Sequence, residues 1–321
     1  MKNILCKNCG GSMILDASAT TAHCKYCGST YVLNHEDTDY YKQFYKQMRS
    51  FFTLSKDEQE RRLKADELWE SAEDKKFECL DGREIEVKYL YSYKDAAADS
   101  YTARRNIIYH FDAKNADCVE QFRKAISMLD YPSADTKSLS DFFPHISGGF
   151  ELENGERLLV IKKGEDEYPL RLFGTLSGRH VAWVISRLEN LCCVLEFSGV
   201  AHADLNIDSV YINPYDHSAY LYGNWWNAGK HNTHTRGIFL DVSENLVNLR
   251  KIAKELLGFK ADEKVIPDGE NIPDALAEFI NGNPKVNAYE DFAYWDEMLI
   301  KAFGERKFIN MDTEDGDIYK S

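Results

Sequence analysis

Two stretches of the chain carry residues whose types and spacing could do chemistry. The first is a cysteine quartet, Cys6, Cys9, Cys24 and Cys27, set as two CxxC pairs with 14 residues between Cys9 and Cys24. Four thiolates at this spacing can close a tetrahedral Zn2+ site and leave no coordination position for a substrate water, so the expected metal is structural. In so short a unit, metal binding would supply most of the folding free energy, on the order of 10–16 kcal/mol. Gly10 and Gly28 follow the two pairs and permit the tight turns that aim backbone amides at thiolates. The same quartet could instead hold iron or act as a redox dithiol pair. His23 offers a substitute ligand, although its adjacency to Cys24 suits an exposed loop. The second stretch is HADLNIDSVYI, residues 202–212, in which His202 precedes Asp204 and a polar run leads into Val210 and Ile212. A carboxylate held in such a loop could orient or deprotonate an attacking hydroxyl, provided that other residues hold a substrate and neutralise its charge.

Elements must position these groups. Around the cysteines, the segments near Ser12–Leu15 and Thr20–His23 suit a short hairpin, which makes residues 1–35 a zinc ribbon. From Tyr40 to about Lys76 the chain is charged and almost free of breakers, with Tyr41, Phe44, Tyr45, Met48, Phe51 and Phe52 at helical spacing. Ser55 and Glu58 fit a capping box that opens a second helix through Leu63, Leu68 and Trp69, so residues 36–78 are expected to be a helical linker. Period two then takes over, with Ile85, Val87, Tyr89 and Tyr91 in one run and Ile107, Tyr109 and Phe111 in another. A helix is expected over residues 117–129 and a hairpin over 150–163, turning at Asn154-Gly155. After Pro169 the pattern is mostly helical. A long helix runs over residues 179–197 to Gly199 and is followed by the 202–209 loop and a hairpin turning near 214–218. Further helices are expected at 244–257, 273–281 and 288–303. The tail from Asn310, NMDTEDGDIYKS, is acidic and is expected to be disordered.

Composition limits the partners. The 321 residues are 44% hydrophobic and 13% aromatic, enough for a sizeable core in one large body and a small one. A net charge of −14 disfavours broad binding to nucleic acid or anionic membrane, and within the ribbon Lys2, Lys7 and Lys25 against Asp16 are too weak a bias to reverse that. The remaining cysteines, Cys79, Cys118, Cys192 and Cys193, are scattered in apolar contexts, which suits a reducing compartment. No membrane span is legible, and a cytoplasmic location is expected.

A small lobe of strands with one helix, a linking segment, a long helix, and then HADLNIDS inside a hairpin resembles the protein kinase-like superfamily, over roughly residues 84–305. The resemblance implies a bilobal α+β fold, with a β-rich lobe over 79–165, a larger helical lobe over 166–309, and an acidic tail at 310–321. The family's catalytic loop reads HRDLxxxxN. His202, Asp204 and Leu205 match it, while Ala203 and Ser209 depart. DEYPLRLF, residues 166–173, is similar to the segment that joins the lobes.

Phosphoryl transfer needs the triphosphate cradled, its charge neutralised by metal, and the attacking hydroxyl oriented. The turn that should carry glycines reads KDAAADS, residues 94–100. The family's strand lysine falls at Tyr109 or His110 and its helix glutamate at Ala125, with Lys114 or Glu120 as substitutes if the register shifts. The metal-binding asparagine position is Ser209, and the family's DFG triplet aligns with Leu221-Tyr222-Gly223. ATP and Mg2+ are therefore not expected in the cleft. Asp204 reads as vestigial and His202 as structural. Trp225 and Trp226 are expected to fill the space left without nucleotide, and His231 and His234 to lie on a polar loop. The resulting reading is a zinc-ribbon pseudokinase that acts on a protein partner as a binding, scaffold or regulatory protein. Two alternatives remain open. One is an atypical protein kinase or nucleotide transferase that uses Asp204 with Asn224 or Asp216 as metal ligands. The other is a nucleic-acid-binding regulator that acts through the ribbon.

Overall fold

The computed structural model describes residues 9, 13–15, 21–32, 46, 49–305, 307, 309–311 and 313–319. The chain forms two compact units, Met1–Asp66 and Glu67–Ser321.

In the first unit, β1 (Met13–Leu15), β2 (Thr21–Cys24) and β3 (Thr30–Val32) form an antiparallel sheet, with Met13 opposite Cys24 and Ala22 opposite Tyr31. The aromatic run expected to open the helical linker lies largely outside the described residues. Helix α1 spans Lys56–Glu70, and the division between the units falls within it. Ser55 Oγ accepts from Glu58 N at 3.2 Å, so the N-terminal cap falls where the sequence places it. The helical linker does not continue to Lys76. Glu73–Glu78 is a strand, β4, paired residue for residue with β5 (Glu84–Tyr89). One apolar side chain decides this: Phe77 is buried on one face of the strand while charged neighbours alternate to solvent, a period-two pattern that a highly charged composition conceals.

The second unit is α+β. Its main sheet has five strands in the order β6 (Tyr91–Lys94), β7 (Asp99–Thr102), β8 (Asn106–Phe111), β10 (Arg157–Lys162) and β9 (His145–Glu151), all antiparallel to their neighbours. Strand β8 shows why both faces are covered. Ile107, Tyr109 and Phe111 point into a core with Val119, Phe122 and Ala125 of helix α2 (Cys118–Ser127), whereas Ile108 points into a second core with Phe77 and Val87 of the β4–β5 hairpin.

Strand β11 (Tyr168–Pro169) leads into the helical region, where helix α3 (Gly178–Ser198) buries Val181, Val184, Ile185, Leu188, Leu191, Cys192 and Leu195. Gly199, at φ +62°, ends the helix in the left-handed conformation that glycine adopts without strain. Then come β12 (Val200–His202), the 203–209 loop, β13 (Val210–Asn213) and β14 (Ser218–Leu221). The segment after β14 carries β15 (Ala228–Lys230), β16 (Thr233–Thr235) and β17 (Ile238–Leu240). Helices α4 (Glu244–Leu256), α5 (Asp274–Asn281) and α6 (Ala288–Phe303) complete the region. No helix among the described residues is long and apolar enough to cross a membrane.

The expectation of a disordered tail is corrected. Helix α7 (Asp315–Tyr319) packs onto the segment joining the sheet lobe to the helical region: Tyr168 Oη donates to Asp315 Oδ1 at 2.7 Å, and Ile318 is buried. Tyr215 Oη donates to Thr313 O at 2.9 Å. Acidic composition forecasts disorder only when nothing apolar seats the segment, and here Ile318 and the Tyr168–Tyr319 ring contact do so.

Candidate functional site

Cys24 is buried at the end of β2, and the chain turns back through Gly28, at φ +74°, with Gly28 N donating to Cys24 O and Cys24 N to Ser29 O. The turn brings the Sγ atoms of Cys9, Cys24 and Cys27 within 4.8 Å of one another. Cys9 Sγ and Cys24 Sγ are 3.5 Å apart, far beyond the roughly 2.05 Å of a disulfide. A tetrahedron with metal–sulfur bonds of about 2.3 Å has edges near 3.8 Å, so this trio could hold a metal ion. Ser29 Oγ lies 3.2 Å from Cys27 Sγ, a hydroxyl placed to stabilise a thiolate. Cys6 lies outside the described residues. His23 is turned to Thr30, with Nδ1 3.0 Å from its Oγ1, and is not part of the sulfur cluster.

In the second unit the 203–209 loop is pinned from below by α4. Asn245 accepts from His202 N at 2.8 Å and donates to Val200 O at 3.1 Å, while Asn248, one turn on, donates to Ala203 O at 3.3 Å. His202 is fully buried, its ring edge-on to Trp225 at 5.0 Å, and its Nε2 donates to Gly223 O at 3.0 Å. Burial pushes its pKa down to about 4, so the ring is neutral near pH 7. Gly223 has a steric reason to be glycine: a Cβ there would stand 2.7 Å from Ser209 Cα. Tyr222 N and Gly223 N both donate to Ser209 O, which joins the two segments where the resemblance expects metal ligands.

Those ligands are engaged elsewhere. Ser209 is buried, and its Oγ donates to Asn206 O at 2.8 Å and accepts from Asn206 N at 3.0 Å. Asn224 Nδ2 donates to Asp204 O, and Asp216 closes the β13–β14 turn by accepting from Ser218 N. Asp204 is half-buried, with Oδ1 accepting from Asn206 Nδ2 at 2.7 Å and Oδ2 from Asn227 Nδ2 at 3.3 Å. Burial, opposed by those amides and reinforced by Asp95 and Asp208, raises its pKa to about 6. Asp208 is held by Arg171 in a bidentate ion pair. Among the described residues, no three His, Cys, Asp or Glu side chains converge as metal ligands around Asp204.

The space between sheet and loop is occupied by the chain itself. Tyr109, buried on β8, donates to Tyr222 O at 3.2 Å. Tyr211 on β13 and Thr102 on β7 share a buried hydrogen bond of 3.0 Å. Tyr222 Oη donates at 2.9 Å to Glu167, which also accepts from Gly164 N. Burial raises the pKa of all three phenols, which stay protonated. Beside Glu167, the Lys163 ammonium donates to Arg104 O, Gly164 O and Glu167 O, although burial lowers its pKa to about 8. The turn between β6 and β7 folds inward, with Ala97 and Ala98 buried in the main core. Trp226 packs edge-on against Tyr109 and Phe111, both at 5.3 Å, and Trp225 Nε1 donates to Leu221 O.

Other positions singled out in the sequence are scattered. Ala125 is buried against the sheet, His110 meets Glu156 at 2.8 Å, and Glu120 pairs with Arg157 rather than with the exposed Lys114. His231 Nδ1 accepts from Val242 N, and His234 lies edge-on to Phe239. The sequence reading missed Tyr211, Tyr222, Glu167 and Asn245 as determinants of this site. A hydroxyl or amide that acts across more than forty residues leaves no local periodic signal.

Neither a scan against protein-family models nor a search of curated proteins gives a match. Among solved structures, the chain is similar to the crystal structure of Toxoplasma gondii specific rhoptry antigen kinase domain, with 11% identity, a TM-score of 0.45, and coverage of 76% of this chain and 91% of that one.

Proposed function

We propose that the second unit is a pseudokinase, a kinase-like body that no longer handles nucleotide and acts by binding a protein partner. The observation that carries this reading is the self-filled junction. Tyr109 and Tyr211 form hydrogen bonds that cross between the lobes, and Tyr222 is tied to Glu167 of the joining segment, where a triphosphate and its metal would need room. His202 serves as a bracket, tying β12 to Gly223, and Asp204 holds its loop through Asn206 and Asn227. The sulfur cluster supports a zinc ribbon in the first unit, with Cys9, Cys24 and Cys27 as three thiolate ligands, Cys6 the fourth candidate on its CxxC spacing alone, and the metal's contribution that of holding the unit folded.

Calorimetry of the full chain with millimolar ATP plus Mg2+ or Mn2+ is expected to show no binding heat. Labelling of a substrate by ATP that disappears in Asp204→Asn would overturn the proposal. One observation favours an enzyme instead, the Asp204 carboxyl with its pKa near 6, the range of a working acid–base group. That reading requires metal-dependent nucleotide binding, so the same titration separates the two. Nucleic-acid binding through the ribbon is a third use, testable by gel shift: affinity that survives deletion of residues 1–33 removes the ribbon from that role.

A further inference from the structure

A cavity of about 250 Å3 lies in the helical region and shares no residue with the 203–209 loop. One face of α3 supplies Arg179, Trp183 and Arg187 at intervals of four, so their side chains project to the same side. The end of α6 supplies Phe303, after which Gly304, at φ +74°, turns the chain so that Lys307 reaches the rim. The β13–β14 turn adds His217, whose ring stacks parallel on Trp183 with centroids 4.6 Å apart.

Three features point to a ligand. The walls are partly aromatic: Trp183 and Phe303 line the cavity, and the Arg179 guanidinium lies over the Phe303 ring at 4.9 Å. The rim is cationic in a chain of net charge −14, and Arg179, Arg187 and Lys307 have no carboxylate partner among the described residues, against one acid, Glu305, in the lining. Two other arginines of the unit, by contrast, sit in ion pairs, Arg171 with Asp208 and Arg250 with Asp291. Finally, Trp183, which lines the cavity, has its Nε1 buried with no hydrogen-bond partner among the described residues, and a group left in that state costs free energy until something meets it.

We infer that this cavity binds a small aromatic anion, a flat ring bearing a carboxylate or phosphate, with the ring against Trp183 and Phe303 and the anionic group among Arg179, Arg187 and Lys307. The volume suits about a dozen non-hydrogen atoms, and a ligand of that size reaches a dissociation constant on the order of 1 mM or tighter. The inference does not depend on whether the Asp204 loop is catalytic.

The test is a titration of the full chain with 2-naphthoate, followed by ligand-observed NMR. Its neutral counterpart 2-naphthalenemethanol and the ringless anion acetate are run beside it. Naphthoate is expected to bind, the alcohol roughly tenfold more weakly for want of charge-assisted hydrogen bonds, and acetate not measurably. Arg179→Gln with Arg187→Gln, two exposed positions of which Arg187 also donates to His217 O at 2.7 Å, is expected to bring naphthoate down to the level of the alcohol while an unchanged melting temperature reports that the fold is kept. Trp183→Leu is expected to weaken both aromatic probes together. Equal binding of naphthoate and alcohol, no binding of either, or naphthoate binding unchanged in the double arginine variant would each overturn the assignment.

Discussion

The cysteine cluster and the tyrosine junction are both built from side chains that can donate or accept, yet they are held in opposite ways. At the cluster, Cys24 and Cys27 sit within one four-residue turn, and Cys9 and Cys27 face solvent. At the junction the partners are 109, 113 and 55 residues apart, and each hydrogen bond lies inside a packed core. A local site depends on its ligand for order, whereas a long-range site depends on the fold around it. On the proposed metal reading, emptying the first should collapse it, whereas the second should lose a polar contact and keep its shape.

The largest expected effect is on the metal side of that contrast. Metal analysis should find one Zn2+ per chain, and chelation or Cys24→Ser should remove on the order of 10–16 kcal/mol of metal-dependent stability, read as proteolytic cleavage within residues 1–35. Protection that persists without metal would erase the distinction. Next comes Trp226→Ala, expected to destabilise the second unit by about 3–5 kcal/mol in denaturant melts, because the indole fills the angle between β8 and α2. A loss under about 1 kcal/mol would show that the junction is loosely packed.

The third effect is a pH dependence. Folded His202 stays neutral down to about pH 4, while the unfolded chain takes up that proton from about pH 6.5 downward, so this group's contribution to stability is present above pH 6.5 and is lost as pH falls toward 4. The full contribution is about 3 kcal/mol. Asp204 runs the other way: the folded state takes up its proton near pH 6 and the unfolded chain only near 4, so protonation there offsets part of the loss. His202→Gln, which keeps a donor for Gly223 O, should flatten the acid-side slope of urea melts; an unchanged slope would show that the histidine is accessible to protons. The smallest effect belongs to a single phenol. Tyr211→Phe strands the buried Thr102 hydroxyl and should cost about 1–2 kcal/mol, and Thr102→Val added to it should restore part of that, since both polar groups then leave together. A pair of losses that simply add would mean that the two hydroxyls do not communicate.

Much of the frame was legible in the chain itself. The CxxC spacing located three sulfurs that converge, and the 3.6-residue stripe of Val181, Val184 and Leu188 forecast α3 almost to its ends. Strand β4 was hidden because EDKKFE offers one apolar residue to reveal its period, and α7 because its charge masks the two side chains, Ile318 and Tyr319, that seat it. The filled junction was half visible. The sequence lacks the glycines and acids that the kinase-like resemblance expects, but it does not reveal that tyrosines meet across the junction. That requires knowing that Thr102 and Tyr211 meet, which only the folded chain decides.

The inward β6–β7 turn carries a consequence for reversibility. Ala97 and Ala98 occupy the place where the kinase-like resemblance expects flexible glycines, and their methyl groups are part of the main core. Placing glycines at these positions would remove buried carbon and add backbone freedom to the unfolded chain, at about 1–2 kcal/mol for each position. Against a total stability on the order of 5–15 kcal/mol, two such changes, with the tyrosines still in place, would weaken the body without opening it. The turn therefore resists change: mutational paths that would install a glycine-rich loop here pass through less stable intermediates.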